Sequence, residues 1–273
     1  MAKHNQQKSK QLTIDQRQKV LITGGSSGIG LELARRFTQE NFIVIIADRK
    51  IEKLNKAKKD IKTIHTFQCD VTKDSDVSKM AEKIQKIFGG IDILINNAGV
   101  MNMLDIGNEK YELNKKFEDI EINYLAPIRM LHYFLPQLKK SKNATLINVS
   151  SALAYVPLTR APIYSSTKSA LHHWTLAIRP QLKIYGIKVV ELVPPLVDTK
   201  LAERVGLTKG KLKPMPVKKL VDIFWKEYSR GKLEITPGVS IIFKFMSRMA
   251  PNLFYNLLNR NRALPDLHTG TTK

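Results

Sequence analysis

The sequence predicts an α/β protein with three layers, in which a doubly wound, mostly parallel seven-stranded sheet lies between two layers of helices. Short apolar runs rich in Val and Ile alternate with helical stretches from about residue 18 onward. Uninterrupted apolar strands are typical of parallel sheets buried on both faces. Right-handed crossovers then place helices on both sides of the sheet. The 273 residues are enough for one large domain of this kind.

The strands and helices alternate along the chain. The predicted strands are KVLIT (19–23), FIVIIA (42–47), TIHTFQ (63–68), IDILIN (91–96), ATLINV (144–149) and IKVVELV (187–193), with LEIT (233–236) as an edge strand. Helical spacing predicts helices after the first and second strands and over 77–88, 117–138, 163–184 and 217–230. Because Pro180 lies inside the 163–184 helix, we expect a bend or local unwinding there.

Composition divides the chain into three parts. Residues 1–17 form a polar tail, residues 18–238 the α/β domain, and residues 239–273 an amphipathic C-terminal extension. Pro251 divides the apolar and aromatic segment 239–265 into two short helices. This segment either packs onto the domain, covers a cleft or subunit interface, or lies on a membrane surface.

Composition also bears on location. Hydrophobic residues make up 43% of the chain, but no apolar run approaches the roughly 20 residues needed to span a bilayer. The polar start of the chain has no apolar signal-peptide centre. The single cysteine, Cys69, fits a reducing compartment. We therefore expect a cytoplasmic protein, with membrane association through 239–265 left open.

The net charge of +21 is large and dispersed. The lysines do not form one stripe, and no zinc-finger, RNP or helix-turn-helix pattern occurs, so we expect no nucleic-acid partner. The charge indicates a solvated lysine-rich surface, or attraction to an anionic membrane or an acidic substrate. The histidines lack metal-site spacing, so no metal is expected, and none of them is assigned a role.

The segment TGGSSGIG (23–30) joins the first strand to the first helix. Glycines at such a corner let the backbone approach a pyrophosphate, and the helix N-terminus supplies N–H groups and a positive dipole end. The spacing is not G-x-G-x-x-G, since Leu33 stands where the last glycine would be. A glycine-rich corner without a ligand is the alternative interpretation.

Three motifs together resemble the short-chain dehydrogenase/reductase family. TGGSSGIG matches its T-G-x-x-x-G-x-G fingerprint, NNAG (96–99) its second signature, and CDVT (69–72) the end of its third strand. The resemblance covers about 18–200 and implies a Rossmann-type dinucleotide-binding fold. The cofactor contacts it implies are at Thr23, Gly24, Ser26, Ser27, Gly28, Ile29, Gly30, Asp48, Arg49, Asp70, Val71, Asn97, Ala98, Gly99, Tyr164, Lys168, Pro194, Val197 and Thr199.

The segment YSSTK (164–168) places a phenol and an ammonium four residues apart, on one face of a helix. A nearby cation favours phenolate and lowers the pKa of a tyrosine, which brings proton exchange within reach at neutral pH. An ordinary surface tyrosine and lysine are the alternative. Ser151, just past the fifth strand, is suited to hold a carbonyl oxygen as charge develops on it, whereas Ser150 is expected to be structural.

The family resemblance completes a catalytic tetrad of Asn123, Ser151, Tyr164 and Lys168. Asn123 in NYLA resembles the residue that holds a water between the lysine and solvent. The implied reaction is hydride transfer between nicotinamide and a carbonyl or secondary alcohol, with Tyr164 exchanging the hydroxyl proton. A regulatory or membrane-surface protein that binds cofactor with little turnover is the alternative.

Two segments depart from the usual family pattern. PPLVDT (194–199) carries Pro195 where the family has glycine, which leaves the path of this loop open. Together with AIRPQL (177–182), it is similar to the oxidoreductases associated with lipoteichoic-acid D-alanylation operons.

Asp48, which ends the second strand, bears on the choice of cofactor. In this position a carboxylate accepts hydrogen bonds from the adenosine ribose, although Asp48 could also cap the helix that follows. The carboxylate repels a 2′-phosphate, and the adjacent Arg49 offsets that only in part. We therefore expect NAD, with NADP open.

The substrate and the oligomeric state are less defined by the sequence. The residues Met101, Met103, Val156, Leu158 and Leu196 are expected to line the substrate pocket, which indicates an apolar or bulky small-molecule carbonyl compound. The family resemblance implies a homodimer or homotetramer paired through the helices at 117–138 and 163–184.

Overall fold

The computed structural model describes residues 17–107, 113–207 and 213–260. Its sheet has seven strands in the order β3-β2-β1-β4-β5-β6-β7, and every pair is parallel. The strands are β1 Lys19–Thr23, β2 Ile43–Asp48, β3 His65–Gln68, β4 Ile93–Asn96, β5 Thr145–Val149, β6 Lys188–Leu192 and β7 Glu234–Ile235. The predicted doubly wound, seven-stranded sheet is confirmed.

The central strand β1 shows why these segments form a parallel sheet. Val20, Leu21 and Ile22 are completely buried because helices cover both faces of the sheet. Leu21 pairs with Ile45 of β2 on one side and with Leu94 of β4 on the other. Since all strands run in the same direction, their carboxyl ends lie along one edge of the sheet.

Ten α-helices lie in the part of the chain that the structure describes. They are α1 Gly28–Gln39, α2 Ile51–Asp60, α3 Asp74–Phe88, α4 Leu113–Ile120, α5 Ala126–Leu138, α6 Pro162–Lys183, α7 Lys200–Arg204, α8 Val217–Ser229, α9 Ser240–Met249 and α10 Pro251–Asn259. A π-helical turn spans Glu121–Leu125, and a 3₁₀ turn spans Ala152–Ala154.

The helices form two layers, each with its own hydrophobic core. Helices α1, α2 and α8 cover one face of the sheet, where the buried side chains include Phe37, Leu54 and Phe224. Helices α3, α5 and α6 cover the other face, where Phe134 and Leu182 are buried. The sheet is therefore enclosed on both sides, and its carboxyl edge is left for a cavity.

The predicted 117–138 helix is not one continuous α-helix. The π turn separates α4 from α5, and the N–H of Ala126 donates to the carbonyl of Glu121, five residues earlier. Both polar atoms of the Asn123 amide bond to the backbone of Val100, in the segment that follows β4. This cross-connection provides a physical reason for the widened turn, which helical periodicity does not reveal.

Helix α6 continues through Pro180 without interruption, so the predicted local unwinding is wrong. Proline cannot donate a hydrogen bond to the carbonyl of Leu176, one turn earlier. Leu176 and Pro180 are both exposed, so water can satisfy that carbonyl and the helix is maintained. A bend of the helix axis at Pro180 stays a prediction.

The two short helices predicted on either side of Pro251 are present as α9 and α10. The division of the chain into tail, domain and extension stays a prediction, and most of the proposed tail lies outside the described residues. No helix in the described ranges is long and apolar enough to cross a bilayer.

A buried polar network connects α6 and β6 to the C-terminal helices. His172 Nδ1 contacts both carboxylate oxygens of Glu191, at 3.0 and 2.8 Å, and both residues are buried. The ring of Tyr155 lies edge-on to His172, and its hydroxyl donates to Glu234. Glu234 in turn pairs with Lys244 of α9 at 2.7 Å. His172, which has no predicted role, is therefore a structural partner of Glu191.

Replacing His172 by leucine tests this network. His172→Leu leaves the buried Glu191 carboxylate without its partner, so we expect the free energy of unfolding to fall by about 3 kcal/mol. The matched variant His173→Leu lies one residue away on the exposed side of α6 and should change it by only about 0.5 kcal/mol. Urea denaturation measures both, and equal losses would contradict the assignment.

Candidate active site at the carboxyl edge of the sheet

A cavity of about 890 Å³ lies at the carboxyl edge of the sheet. Its wall combines the glycine turn before α1, the ends of β2, β4 and β5, the start of α6 and the loop after β6. The predicted residues in this wall are Gly24, Ser26, Ser27, Gly28, Ile29, Asp48, Arg49, Asp70, Val71, Asn97, Ala98, Gly99, Ser151, Tyr164, Lys168, Pro194, Val197 and Thr199. The motifs spread along the chain are thus brought into one site.

The glycine turn is shaped to accept an anion. Gly24 and Gly28 have φ angles of +62° and +54°, which side chains on L-residues rarely allow. A Cβ on Gly24 would lie 2.9 Å from the Cα of Ala98. Helix α1 begins at Gly28, so its first N–H groups and positive dipole end face the cavity. This open backbone fits a dinucleotide pyrophosphate.

Thr23 and Gly30 are not part of the cavity wall, although both are predicted cofactor contacts. The Thr23 hydroxyl donates to the carbonyl of Ile95 and accepts from the N–H groups of Asn97 and Ala98. A Cβ on Gly30 would lie 2.4 Å from the carbonyl oxygen of Gly24. Both residues are buried, and the geometry gives them a supporting role: Thr23 joins the ends of β1 and β4, and Gly30 lets α1 pack against the turn.

Asp48 lies at the predicted position in the wall, at the end of β2. Its carboxylate accepts hydrogen bonds from the Ser26 hydroxyl and, at 3.0 Å, from the N–H of Lys50. The N-cap of α2 is Lys50, so Asp48 is not the cap. These contacts orient the carboxylate at the cavity edge, where a ribose hydroxyl would meet it.

Basic residues surround this end of the cavity. The Arg49 guanidinium pairs with Glu118 at 2.8 Å, while Lys50, Lys53 and Lys56 contribute to the wall. A neighbouring depression of about 520 Å³ shares Arg49 and Lys50 with this wall. Its lining adds the cations Lys73, Lys79 and Lys83. The sequence analysis did not place these lysines near the site; the signal for them was the three-residue spacing of Lys50, Lys53 and Lys56.

The tetrad residues lie where β5, the π turn and α6 meet. Tyr164 and Lys168 share one face of α6, as predicted, and both are buried. The Ser151 hydroxyl accepts from the N–H of Leu153 at 3.2 Å and lies near enough to Tyr164 to lower the pKa of the phenol. The Lys168 ammonium donates to the carbonyl of Val149 at 3.0 Å and lies 5.7 Å from the centre of the Tyr164 ring. A proton donor, a hydroxyl partner and a cation thus lie together in the cavity wall.

The expectation that Lys168 lowers the pKa of Tyr164 is wrong for this structure. Burial raises the pKa of Tyr164 to about 12; the hydrogen bond with Ser151 lowers it, and the charge of Asp119 raises it. Burial lowers the pKa of Lys168 to about 8, against the opposing effects of Asp119 and Glu191. Desolvation penalises both charged forms and is the largest influence on each pKa.

Asn123 is completely buried behind the wall. Its Oδ1 accepts from the N–H of Val100 at 2.9 Å, and its Nδ2 donates to the Val100 carbonyl at 2.9 Å and to Thr167 at 3.2 Å. Both amide hydrogens are therefore used, and the side chain holds the segment after β4 against α6. A proton relay at this residue would have to use its main chain or the remaining lone pair on Oδ1.

Asp119 is a buried acid that the sequence analysis missed. It accepts a 2.6 Å hydrogen bond from Asn102 and influences the pKa of both Tyr164 and Lys168. Its position four residues before Asn123, one helical turn away, was the available signal. The negative charge beneath the tetrad favours the protonated forms of the phenol and the ammonium.

The loop after β6 has a defined path despite Pro195. Val197 forms a parallel bridge with Met215, and the N–H of Asp198 donates to the Met215 carbonyl at 2.9 Å. Thr199 caps α7 by accepting from the N–H of Ala202. The bridge between Val197 and Met215 and the hydrogen bond from Asp198 thus hold the loop at the cavity, although Pro195 stands in place of glycine.

The substrate end of the cavity is apolar, but not entirely as predicted. Met101, Leu158 and Leu196 line it. Val156 is buried, and Met103 packs against the small core cluster around Leu158, so neither belongs to the wall. The residues missed by the sequence analysis include Leu153, Leu207, Phe243 of α9 and Leu258 of α10.

The fold and the cavity together define a Rossmann-type oxidoreductase with a nucleotide-binding site. Residues 18–210 match the family described as short chain dehydrogenase, and the chain belongs to that family.

The relatives agree with this assignment. An uncharacterised oxidoreductase of Bacillus subtilis (strain 168), DltE, is 38% identical over 221 residues, covering 80% of this chain and 86% of that protein. The predicted similarity to oxidoreductases of lipoteichoic-acid D-alanylation operons is confirmed. An uncharacterised oxidoreductase of Staphylococcus epidermidis (strain ATCC 35984), SERP2049, is 29% identical and covers 74% of this chain and 86% of its own length.

Solved structures share the fold. A short chain dehydrogenase from Burkholderia cenocepacia J2315, in complex with NADP, has a TM-score of 0.77 at 23% identity and covers 89% of this chain and 97% of its own. A short chain dehydrogenase/reductase from Burkholderia phymatum, in complex with NAD, has a TM-score of 0.76 at 17% identity and covers 91% and 98%. Proteins of this fold thus bind either cofactor.

The lowered pKa of Lys168 predicts how the free energy of unfolding depends on pH. Folding forces a protonated lysine into the interior below pH 8, at a cost of about 3 kcal/mol for a shift from 10.5 to about 8. That cost disappears as the pH rises from about 8 to 10.5, because the unfolded chain binds more protons in this window. Lys168→Met should therefore be more stable than wild type at pH 7, with a smaller advantage at higher pH.

Urea denaturation at neutral pH and at about pH 10 measures this difference. Lys183→Met, on the exposed side of the same helix, is the matched control and should show neither effect. A Lys168→Met variant that is less stable than wild type at pH 7 would contradict the pKa assignment.

Proposed function

We propose that the protein is an NAD(P)-dependent oxidoreductase that transfers a hydride between nicotinamide and a carbonyl or secondary alcohol. The single observation that carries the proposal is the buried Tyr164 side chain, which shares one cavity wall with Ser151, with Lys168 one helical turn away and with the glycine turn. Acid–base chemistry and dinucleotide binding are thus available at one place.

Bound nicotinamide would supply or accept the hydride. In carbonyl reduction the hydride adds to the carbonyl carbon, and the phenol proton of Tyr164 passes to the oxygen, which gives the alcohol and oxidised cofactor. The Ser151 hydroxyl stabilises the charge that develops on the oxygen. Lys168 supplies positive charge beside the phenolate that remains. Asn123 holds the segment after β4 against α6.

The raised pKa of Tyr164 favours catalysis of carbonyl reduction over alcohol oxidation at neutral pH. A phenol with a pKa of about 12 stays protonated at neutral pH, so the structure is prepared to donate a proton during carbonyl reduction. Alcohol oxidation requires the phenolate and should therefore become faster as the pH rises.

Replacing Tyr164 by phenylalanine tests the catalytic role. Tyr164→Phe removes the proton donor and should lower the rate of NADH- or NADPH-dependent carbonyl reduction by about 100-fold or more. Cofactor binding, measured by fluorescence titration, should be retained. Tyr133→Phe, at a partly buried position of α5 that packs against the hydrophobic core, should retain wild-type turnover.

The outcome separates the two classes of function. Undiminished turnover in Tyr164→Phe would overturn the catalytic assignment. Cofactor binding by the wild type without turnover on any carbonyl compound would favour a regulatory protein.

We further propose NAD as the preferred cofactor. The Asp48 carboxylate stands at the adenosine end of the cavity, and Arg49 is engaged by Glu118. The exposed lysines of α2 lie at the same end, but charges in water are screened more strongly than a carboxylate beside the ribose. The balance therefore disfavours a 2′-phosphate.

Side-by-side titration of NADH and NADPH measures this preference. NADH should bind about tenfold more tightly, which corresponds to about 1.4 kcal/mol. Asp48→Asn should reduce the difference by removing the repelling charge, and Glu118→Gln should reduce it by releasing Arg49. Tighter binding of NADPH by the wild type would contradict the proposal.

The remaining expectations concern partners and location. A homodimer or homotetramer through α5 and α6, a cytoplasmic location and contact with a membrane surface through 239–265 stay proposals. The lining around Met101 and Leu158 favours an apolar small-molecule carbonyl compound as substrate.

A further inference from the structure

The two C-terminal helices expose an unusual amount of apolar surface. We call this surface the apolar face; its members are Ile241, Ile242, Phe245, Met249, Leu253, Tyr255 and Leu257. Phe245, Met249 and Leu253 are 61%, 68% and 66% exposed. A continuous apolar patch of this kind on a folded domain usually marks an interaction surface.

The apolar face is one side of a packed pair of helices. Ile241, Phe245 and Met249 are spaced four residues apart and form a stripe along α9. On the other side, Phe243 and Phe254 pack edge-to-face with ring centres 5.0 Å apart, and Phe254 and Ser240 are buried. The helices therefore have an inner side that packs against the body and an outer side that no described residue covers.

The pair is held to the body at both ends. Lys244 of α9 pairs with Glu234 of β7, which also accepts from the Tyr155 hydroxyl. At the end of α10, the Asn259 side chain accepts hydrogen bonds from the N–H and hydroxyl of Thr159 and donates to the carbonyl of Pro157. These contacts fix the orientation of the apolar face relative to the domain.

The charge around the apolar face favours an anionic partner. Between Glu234 and Asp266 the sequence has no acidic residue; Arg248 of α9 and Arg260 at the end of α10 are exposed cations, and Lys244 pairs with Glu234. Apolar side chains flanked by Arg and Lys are typical of helices that lie in the surface of an anionic bilayer. A second copy of a chain with net charge +21 would bring cations against cations, which disfavours self-association through this face.

The same helices close the substrate end of the cavity. Gly238, Phe243 and Leu258 line it from the inner side of the pair. Val239 belongs both to the cavity wall and, at 40% exposure, to the margin of the apolar face. The cavity and the apolar face therefore share a boundary.

We propose that the apolar face docks on an anionic lipid bilayer, and that apolar carbonyl compounds dissolved in the bilayer reach the cavity past Val239. The docking rests on the apolar face and its charge, and the substrate class rests in addition on the proposed oxidoreductase function. Docking would place the apolar substrate end of the cavity next to the lipid, while the basic adenosine end remains in water.

Sedimentation with vesicles tests the docking. The full-length wild type should cosediment with vesicles of phosphatidylglycerol and phosphatidylcholine in equal parts, and much less with phosphatidylcholine alone. This comparison needs no variant. The double variant Ile241→Ser/Phe245→Ser should lower the bound fraction about tenfold or more, since it removes exposed apolar groups that the bilayer would bury. Ile87→Ser on α3 is the matched control, because Ile87 is 63% and Ile241 59% exposed.

Three results would overturn the docking. They are failure of the wild type to bind the anionic vesicles, equal loss of binding in Ile87→Ser, and conversion of a wild-type dimer into a monomer by the double variant. The last result, observed by light scattering, would identify the apolar face as a contact between protein chains.

Activity measurements test the substrate class. The double variant should reduce a long-chain alkyl ketone presented in anionic vesicles about tenfold more slowly than wild type, and a short water-soluble carbonyl compound at the wild-type rate. Equal rates of the variant and wild type on both compounds, or an equal loss on both, would overturn the proposal. If the wild type reduced neither compound, the oxidoreductase function would be overturned instead, while its binding to anionic vesicles would be unaffected.

Discussion

Parallel pairing of β1 with β2 and β4 is the constraint on which the rest of the site depends. It brings the end of β2, with Asp48, next to the glycine turn that follows β1. On the other side, the Thr23 hydroxyl holds the N–H groups of Asn97 and Ala98 at the end of β4. A single sheet edge thus carries the glycine turn, the Asp48 carboxylate and the cavity wall that leads to Tyr164 and Lys168.

Burial determines the proton states of the tetrad. Tyr164 and Lys168 lie in a region where both charged forms are costly. Burial therefore raises the pKa of the Tyr164 phenol and lowers the pKa of the Lys168 ammonium. Asp119 and Glu191, buried nearby, partly offset the second effect. At neutral pH we therefore expect the domain to be less stable than it would be with an apolar residue in place of Lys168, whereas the neutral phenol of Tyr164 adds no such cost.

Much of the fold followed from the sequence, because alternating apolar strands and helices depend on local pattern. Most of the residues that the motifs predicted also lie in the cavity wall. Contacts between distant elements were not predictable: the bonds from Asn123 to Val100, the pairing of His172 with Glu191, and the position of Phe243 over the cavity all depend on tertiary packing. Nor does a motif distinguish a residue that contacts a ligand from one, such as Gly30, that supports the turn.

The central claim is that this cavity carries out direct hydride transfer to a carbonyl carbon, with a proton from Tyr164. Reduction of an apolar ketone with nicotinamide cofactor deuterated on the transferred face of C4 tests it most directly, with the product analysed by mass spectrometry and NMR. The structure predicts one deuterium on the carbinol carbon and a primary isotope effect on kcat/KM. An alcohol product without deuterium at that carbon, or no reduction of any carbonyl compound by a protein that binds the cofactor, would contradict the claim.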